Sequence, residues 1–296
     1  MSGYKQELME YAFSLGADKF RVAPVERFAE ARPGHKPEEI LPGAKSVIVM
    51  CTRLLNGALS ATYRKYLDGM NDVHGIYGTY GYTLGPTFHL AGLVYALSQK
   101  IEQETDAIAV PMFTGGPLVN GSAFSLRHAA YAAGLGEFGW NGIMLTPEFG
   151  PRNRFCAVIT DLELEPDEMY SGPSLCNRCG ECVRGCPTQA IPAPGEAPPK
   201  VVHCGGKAIE YNDLKYWRCQ VACHMITKKT GGDTDWVGED PTLEEVNAAM
   251  HVKPLETVGL QGNPTWKCGL CMINCPAGGW KEKFGDTGLA EKEEEE

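Results

Sequence analysis

Residues 176–187 read Cys176-Asn177-Arg178-Cys179-Gly180-Glu181-Cys182-Val183-Arg184-Gly185-Cys186-Pro187. Two, two and three residues separate the four thiols, and a proline follows the last. With this spacing three sulfurs take three corners of one [4Fe–4S] cube while the fourth reaches across to a second cube. The short spacers let one loop wrap the cube, and Pro187 turns the chain away from it. A bare Cys-x-x-Cys would suit a zinc knuckle or a redox disulfide, but this longer run fits the cube far better.

Residues 268–276, Cys268-Gly269-Leu270-Cys271-Met272-Ile273-Asn274-Cys275-Pro276, repeat the tail of that run, with Thr265 where the first cysteine would stand. Two cubes need eight thiolates, and the two runs supply seven. The eighth comes from elsewhere, and Cys204, Cys219 and Cys223 all lie in the intervening segment. Crossing between the runs gives Cys176, Cys179, Cys182 and Cys275 to cluster one. Cluster two then takes Cys186, Cys268, Cys271 and one thiol from the segment between. Cys219 is favoured, because a helix expected over Asn212 to Thr227 can dock it beside the second run; Cys223, one turn along, is its rival.

Twelve cysteines in 296 residues could suggest disulfides, but a chain of this length needs no stapling and its thiols are grouped as ligands. No apolar run is long enough to span a bilayer, and the N-terminus lacks an apolar core or a twin arginine. The expected home is a reducing cytoplasm, without membrane association. A net charge of −10 and the lack of a basic block argue against a general nucleic-acid binder. Part of that charge sits in the terminal Glu291, Lys292 and Glu293 to Glu296.

Ahead of the first run the chain alternates helical and extended patterns. Leu8, Tyr11, Ala12 and Leu15 space out a helix over residues 3–15, stopped by Gly16. Ser46 to Cys51 is a β-branched run of buried-strand character, with Cys51 as a core thiol. Pro86 to Thr105 carries Leu90, Leu93, Val94 and Leu97 at helical spacing. Ala107 to Met112 reads as a strand confined to an edge by Pro111. Phe124 to Ala133 reads as a helix and Phe155 to Leu162 as a strand, with Cys156 packed inside. Strands separated by helices predict a layered α/β (α+β) domain. Between them, residues 75–85, Gly-Ile-Tyr-Gly-Thr-Tyr-Gly-Tyr-Thr-Leu-Gly, read first as a surface turn, although tyrosines there could also donate protons. Asp72-Val73-His74 falls short of an Asp-x-His-x-x-Gly cobalamin signature, which leaves His74 as a surface histidine.

Residues 130–142 read Ala-Tyr-Ala-Ala-Gly-Leu-Gly-Glu-Phe-Gly-Trp-Asn-Gly, residues 145–152 read Leu-Thr-Pro-Glu-Phe-Gly-Pro-Arg, and Ile159-Thr160-Asp161-Leu162 follows. This pattern resembles the cobalamin-binding domain of the reductive dehalogenases, whose AGLGE-GRNG-LITPEFGPRVR-TDLPL signature precedes a double [4Fe–4S] module. The related epoxyqueuosine reductases are similar but poorer in the Thr-Pro-Glu-Phe-Gly-Pro segment. The chain departs from the signature at Trp140 (usually arginine), Asn153 (valine) and Glu163 (proline). The resemblance implies a nitroreductase-like corrinoid-binding domain over residues 1–168, a bacterial-ferredoxin-like double [4Fe–4S] domain over 169–286 and an acidic tail over 287–296.

It also implies cobalamin as a cofactor beside the two [4Fe–4S] clusters, with electrons passing from the clusters to the corrinoid. A proton-donating tyrosine would be Tyr82, with Tyr80 in reserve; a substrate-holding asparagine would be Asn120; an arginine beside the corrin would be Arg152 or Arg154. Tyr80, His89, Trp140 and Asn141 would contact the cofactor, and Phe138 and Phe149 could join Trp140 in an apolar wall. The expected activity is a reductase of the dehalogenase type acting on a small organic molecule, halogenated or not. Ferredoxin or flavodoxin would be a suitable low-potential donor. The alternatives are an epoxyqueuosine reductase-like enzyme, disfavoured by the lack of a matching aspartate and by the acidic balance, and an electron-transfer protein with clusters alone.

Overall fold

Two apolar strands run through the middle of the molecule, and each feeds two cores at once. The computed structural model describes residues 2–67, 76–82, 84–113, 123–224, 226–230, 232–249 and 268–279. In chain order its elements are α1 (Ser2–Ser14), β1 (Lys19–Pro24), α2 (Pro37–Ile40), β2 (Ser46–Arg53), α3 (Asn56–Leu67), a π-helix (Tyr77–Tyr82), α4 (Leu84–Glu104), β3 (Ala109–Met112), α5 (Leu126–Ala132), β4 (Glu137–Phe138) and β5 (Met144–Leu145). There follow β6 (Asn153–Thr160), α6 (Glu181–Arg184), β7 (Lys200–Cys204), β8 (Lys207–Tyr211), α7 (Tyr216–Cys223), α8 (Leu243–Ala249) and α9 (Leu270–Ile273).

The main sheet has the order β1-β2-β6-β3, and each ladder is antiparallel. Alternation along β2 sends Val47, Val49 and Cys51 to one face and Ile48 and Met50 to the other. In β6, Phe155, Ala157 and Ile159 share the first face, while Cys156 and Val158 share the second. One core is closed by Leu8 and Ala12 of α1 and by Leu90, Leu93, Val94, Leu97 and Ile101 of α4. The other is closed by the alanines of α5 and by Cys204, Ile209 and Tyr211 of the β7–β8 hairpin. Cover on both faces explains why β6 is buried along its whole length instead of alternating with polar residues. Pro111 lies on the edge strand β3, opposite Val158, as its missing N–H requires.

Two expectations change. The helix expected over Asn212 to Thr227 is confined to Tyr216–Cys223, because flanking backbone groups are used elsewhere. The Asn212 N–H donates to Trp140 O at 3.0 Å and the Lys215 N–H to Ala190 O at 2.9 Å. The glycine–tyrosine stretch is no surface turn: Tyr77–Tyr82 forms a π-helix ahead of α4, with Tyr77 fully buried. π-Helical turns of this kind recur at functional sites.

The sequence reading passed over the β7–β8 hairpin. Its signal is Gly205-Gly206 between two short alternating runs, both glycines at positive φ, the turn chemistry of a tight hairpin. The hairpin carries Cys204 into the core, where its thiol lies 3.6 Å from Arg27 O and burial pushes its pKa up to about 12. Cys204 is thus a packing thiol, like Cys51 and Cys156, whose pKa values burial also raises.

Ile48 fills the α1/α4 core with no exposed surface, whereas Ile108 is 52% exposed just before β3. Ile48→Ala is expected to destabilise the fold by about 2–5 kcal/mol, and Ile108→Ala by no more than about 0.5 kcal/mol. Urea unfolding midpoints of the two variants check the difference.

Candidate functional site

The first cysteine run is held by side chains from the α/β layer. Glu137 at the start of β4 accepts hydrogen bonds from the Ser174 hydroxyl at 2.9 Å, from the Cys176 N–H at 3.0 Å and from the Leu175 N–H. Between β4 and β5 the chain makes a tight hairpin, Gly139 to Ile143, with Gly142 at φ +72°. This hairpin carries Trp140 and Asn141 to the cysteines. The Trp140 N–H donates to Cys176 Sγ at 3.2 Å, its indole N–H donates to Pro192 O at 2.8 Å, and the Arg178 guanidinium sits 5.0 Å above the ring. Asn141 Oδ1 accepts the Ile143 N–H.

Together these parts border a partly open pocket lined by Cys176, Cys179, Cys182, Cys275, Trp140 and Asn141. Three thiols come from the first run and the fourth from the second. Burial, together with Cys275, Cys176 and Cys179, pushes the Cys182 thiol up to about 12. Four sulfurs around a cavity, each raising the cost of charging the next, suit a multi-iron cation that neutralises them together. Among the described residues no three His, Cys, Asp or Glu side chains converge as a single-ion site would require. Four thiols on one pocket are a donor set of the kind a [4Fe–4S] cube takes.

A second group of thiols gathers around Cys268 and Cys271. The Cys268 pKa is raised by burial and by Cys223, Cys271 and Cys186; that of Cys271 is raised by burial and by Cys186, Cys182, Cys223 and Cys275. Cys219 and Cys223 face this group from α7, one turn apart and hydrogen-bonded to each other. The Cys186 sulfur accepts the Ala190 N–H at 3.2 Å.

What registers the two runs is the segment from Thr146 to Arg152. Thr146 and Gly150 exchange backbone hydrogen bonds of 3.0 and 2.8 Å, and the Asn153 amide closes the turn by donating to Gly150 O at 2.6 Å. This is what Asn153 contributes where the dehalogenase signature has valine. Gly150, at φ +55°, and Gly278, at φ +77°, pack backbone to backbone, and a methyl on either would fall inside the other segment. Arg152, 3% exposed, donates to Met272 O at 3.1 Å, to Cys275 O at 2.8 Å and to Ala277 O. A guanidinium presents several donors in a rigid plane, so one side chain can hold three carbonyls.

Above the second run lies the π-helix. Tyr77 stacks on Tyr82 with ring centroids 5.6 Å apart and planes inclined by 22°. Arg154 lies 4.4 Å over the other ring, Tyr82, and donates to Tyr82 O and to Thr87 Oγ1 at 3.1 Å. Tyr80 is exposed, as are Leu55 beside α3 and Phe88 on α4.

The structure thus brings Tyr82 and Arg154 together. It sets Trp140 and Asn141 against the first cysteine cavity and Arg152 against the second run's carbonyls. His89 lies elsewhere, its Nε2 3.2 Å from Gly16 O at the end of α1. Phe138 stacks on Tyr211 in the core, and Phe149 lies under the Lys19 ammonium. Asn120, His74, Thr265 and the tail over 287–296 lie outside the described residues. Tyr77 escaped the sequence reading; its nearest signal was its place in a glycine–tyrosine stretch.

The 4Fe-4S binding domain family matches residues 170–191. A tetrachloroethene reductive dehalogenase of Dehalobacter restrictus is 41% identical over 111 residues, which cover 37% of this chain and 18% of the relative. An epoxyqueuosine reductase of Vibrio cholerae is 28% identical over 162 residues, covering 54% of this chain and 40% of the relative. The chain spans less than half the length of these curated relatives. Among solved structures, a reductive dehalogenase described in terms of B12-dependent dehalogenation superposes with a TM-score of 0.55 at 19% identity, over 84% of this chain and 33% of that one. An epoxyqueuosine reductase with a tRNA-Tyr stem loop gives 0.53 at 18% identity, over 93% of this chain and 65% of that one. At these identities the superpositions show a shared fold. The second of these neighbours was solved with an RNA stem loop. Among the described residues no helix is long and apolar enough to cross a membrane.

Cys275→Ser is expected to disturb the same EPR signal as Cys179→Ser, although the two residues belong to different runs, while Cys268→Ser disturbs the other signal. Arg152→Gln is expected to lower bound iron and sulfide below the content of two clusters. Anaerobic metal analysis and EPR of the reduced protein check both.

Proposed function

We propose that this chain, a member of the superfamily that includes the reductive dehalogenases and the epoxyqueuosine reductases, is a corrinoid-dependent iron–sulfur reductase of the dehalogenase type acting on a small organic substrate. The observation that carries the reading is the meeting of three parts: the cavity shared by Cys176, Cys179, Cys182 and Cys275, the thiol group around Cys268 and Cys271, and the π-helix above them. Residues 1–168 would hold the corrinoid and residues 169–286 the clusters.

A corrinoid bound beside the π-helix would supply a metal centre that, once reduced, attacks carbon or halogen or passes on an electron. The chain's own residues define what surrounds it. The Tyr82 phenol is held by the stack on Tyr77 and by Arg154, and serves as the positioned proton donor. Arg152 keeps Cys275 in register with the first run, so that one cube bridges both. Trp140 shields the Cys176 side and donates one N–H to its sulfur. Cys186, Cys268, Cys271 and either Cys219 or Cys223 hold the second cube. Ferredoxin or flavodoxin is a donor of suitable potential.

A second reading, as an enzyme of the epoxyqueuosine reductase type, draws on the solved reductase that covers 93% of this chain. Restoration of queuosine in a strain lacking that enzyme would favour it. Purification under strict exclusion of oxygen, followed by iron, sulfide, cobalt and corrinoid analysis, tests the first. The expected result is two clusters and one tightly held corrinoid per chain. Full clusters with no affinity for added cobalamin would overturn the corrinoid reading and leave an electron carrier.

A further inference from the structure

Tyr77 belongs to neither cysteine run, yet it heads the bulky, fully buried side chains among the described residues. Its ring covers Gly269, where a methyl group would land within the ring itself. Its hydroxyl points to Met272 Sδ at 4.0 Å, a weak contact between two soft groups. Around it pack Leu54, Leu59 and Ile273, with Cys271 and Tyr82 at the margin of the same cluster. The side chain thus stands between two things a reductase must separate and connect: the loop carrying Cys268 and Cys271, and the phenol of Tyr82.

We propose that Tyr77 is a positioning residue that seals cluster two against water and sets its separation from Tyr82. The inference rests on the cluster assignment made above. Water at the cluster sulfurs would donate hydrogen bonds that favour the reduced, more negative state and raise the potential. A large apolar ring laid on the backbone between two ligands prevents this. Because the ring also stacks on Tyr82, it fixes how far the phenol stands from the cluster loop.

The test uses the full chain with clusters reconstituted under anaerobic conditions, without corrinoid or substrate, and a potentiometric EPR titration of both clusters. Tyr77→Ala is expected to raise the potential of cluster two, giving about a tenfold higher reduced-to-oxidised ratio at a fixed poise, while cluster one stays unmoved as an internal reference. Tyr77→Phe keeps the ring and is expected to titrate like the parent. Tyr77→Leu, which folds more readily, is expected to shift cluster two in the same direction by less. An unmoved cluster two in both the Ala and Leu variants, equal shifts in both clusters, or a Phe variant that shifts as much as Ala would each overturn the role of Tyr77. A parent chain that yields no [4Fe–4S] signal overturns the cluster assignment, and the inference with it.

Discussion

A buried guanidinium bonded to three backbone carbonyls holds this molecule's two halves in register. Arg152 leaves the sheet at the start of β6 and ends on the carbonyls of Met272, Cys275 and Ala277. Burying such a charge is costly unless its donors are met, and here they meet three backbone carbonyls of the cysteine loop. Beside it, the contact of Gly150 with Gly278 lets the two backbones approach more closely than any side chain would permit. Both sets of thiols draw on both runs, so the clamp bears on each of them. The long signature around Thr146 to Arg152 therefore acts as a docking element for the second run.

The parts that were legible in the sequence are those whose cause is local. The two cysteine runs, α4 and the strands β2 and β6 all announce themselves by spacing or period, and the structure has those elements within a few residues of where the pattern puts them. Pro111 marked an edge because its missing N–H is a property of one residue. The parts that were not legible have distant causes. Tyr77 is buried because Gly269 lies under its ring, nearly two hundred residues along the chain, and a lone glycine–tyrosine stretch looks the same on a surface. Helix α7 is short because Asn212 and Lys215 are claimed by Trp140 and Ala190, which no helical period reveals. Arg152 and Arg154 could not be told apart in sequence, since both lie near β6 and differ only in which distant segment each meets.

The departures from the dehalogenase signature follow the same logic. Asn153 exchanges an apolar contact for hydrogen bonds that tie the Thr146–Gly150 turn. Trp140 gives up a charge and gains an indole N–H that finds Pro192, with Arg178 supplying a cation over the ring from the first cysteine run. Glu163, where the signature has proline, forms a solvent-exposed pair with Lys45 at 3.8 Å, which contributes little. Of the three positions, Trp140 touches the cysteines directly, Asn153 ties the turn beside them, and Glu163 lies outside both.

The thiols themselves make the metal a partner in folding. Around Cys271 several sulfhydryls are buried together, and each raises the cost of ionising its neighbours. As thiols they contribute weak, small contacts; as thiolates without a cation they would repel one another in a medium that screens poorly. Iron reverses the sign of that interaction, so the order of the cysteine loops is bound to the cluster. The α/β domain is built differently, with two apolar cores and a sheet that owe nothing to metal. Arg152 and the Gly150–Gly278 contact join the two regimes. They let a stable scaffold hold the second run near its place, so that cluster assembly has only to close a short loop.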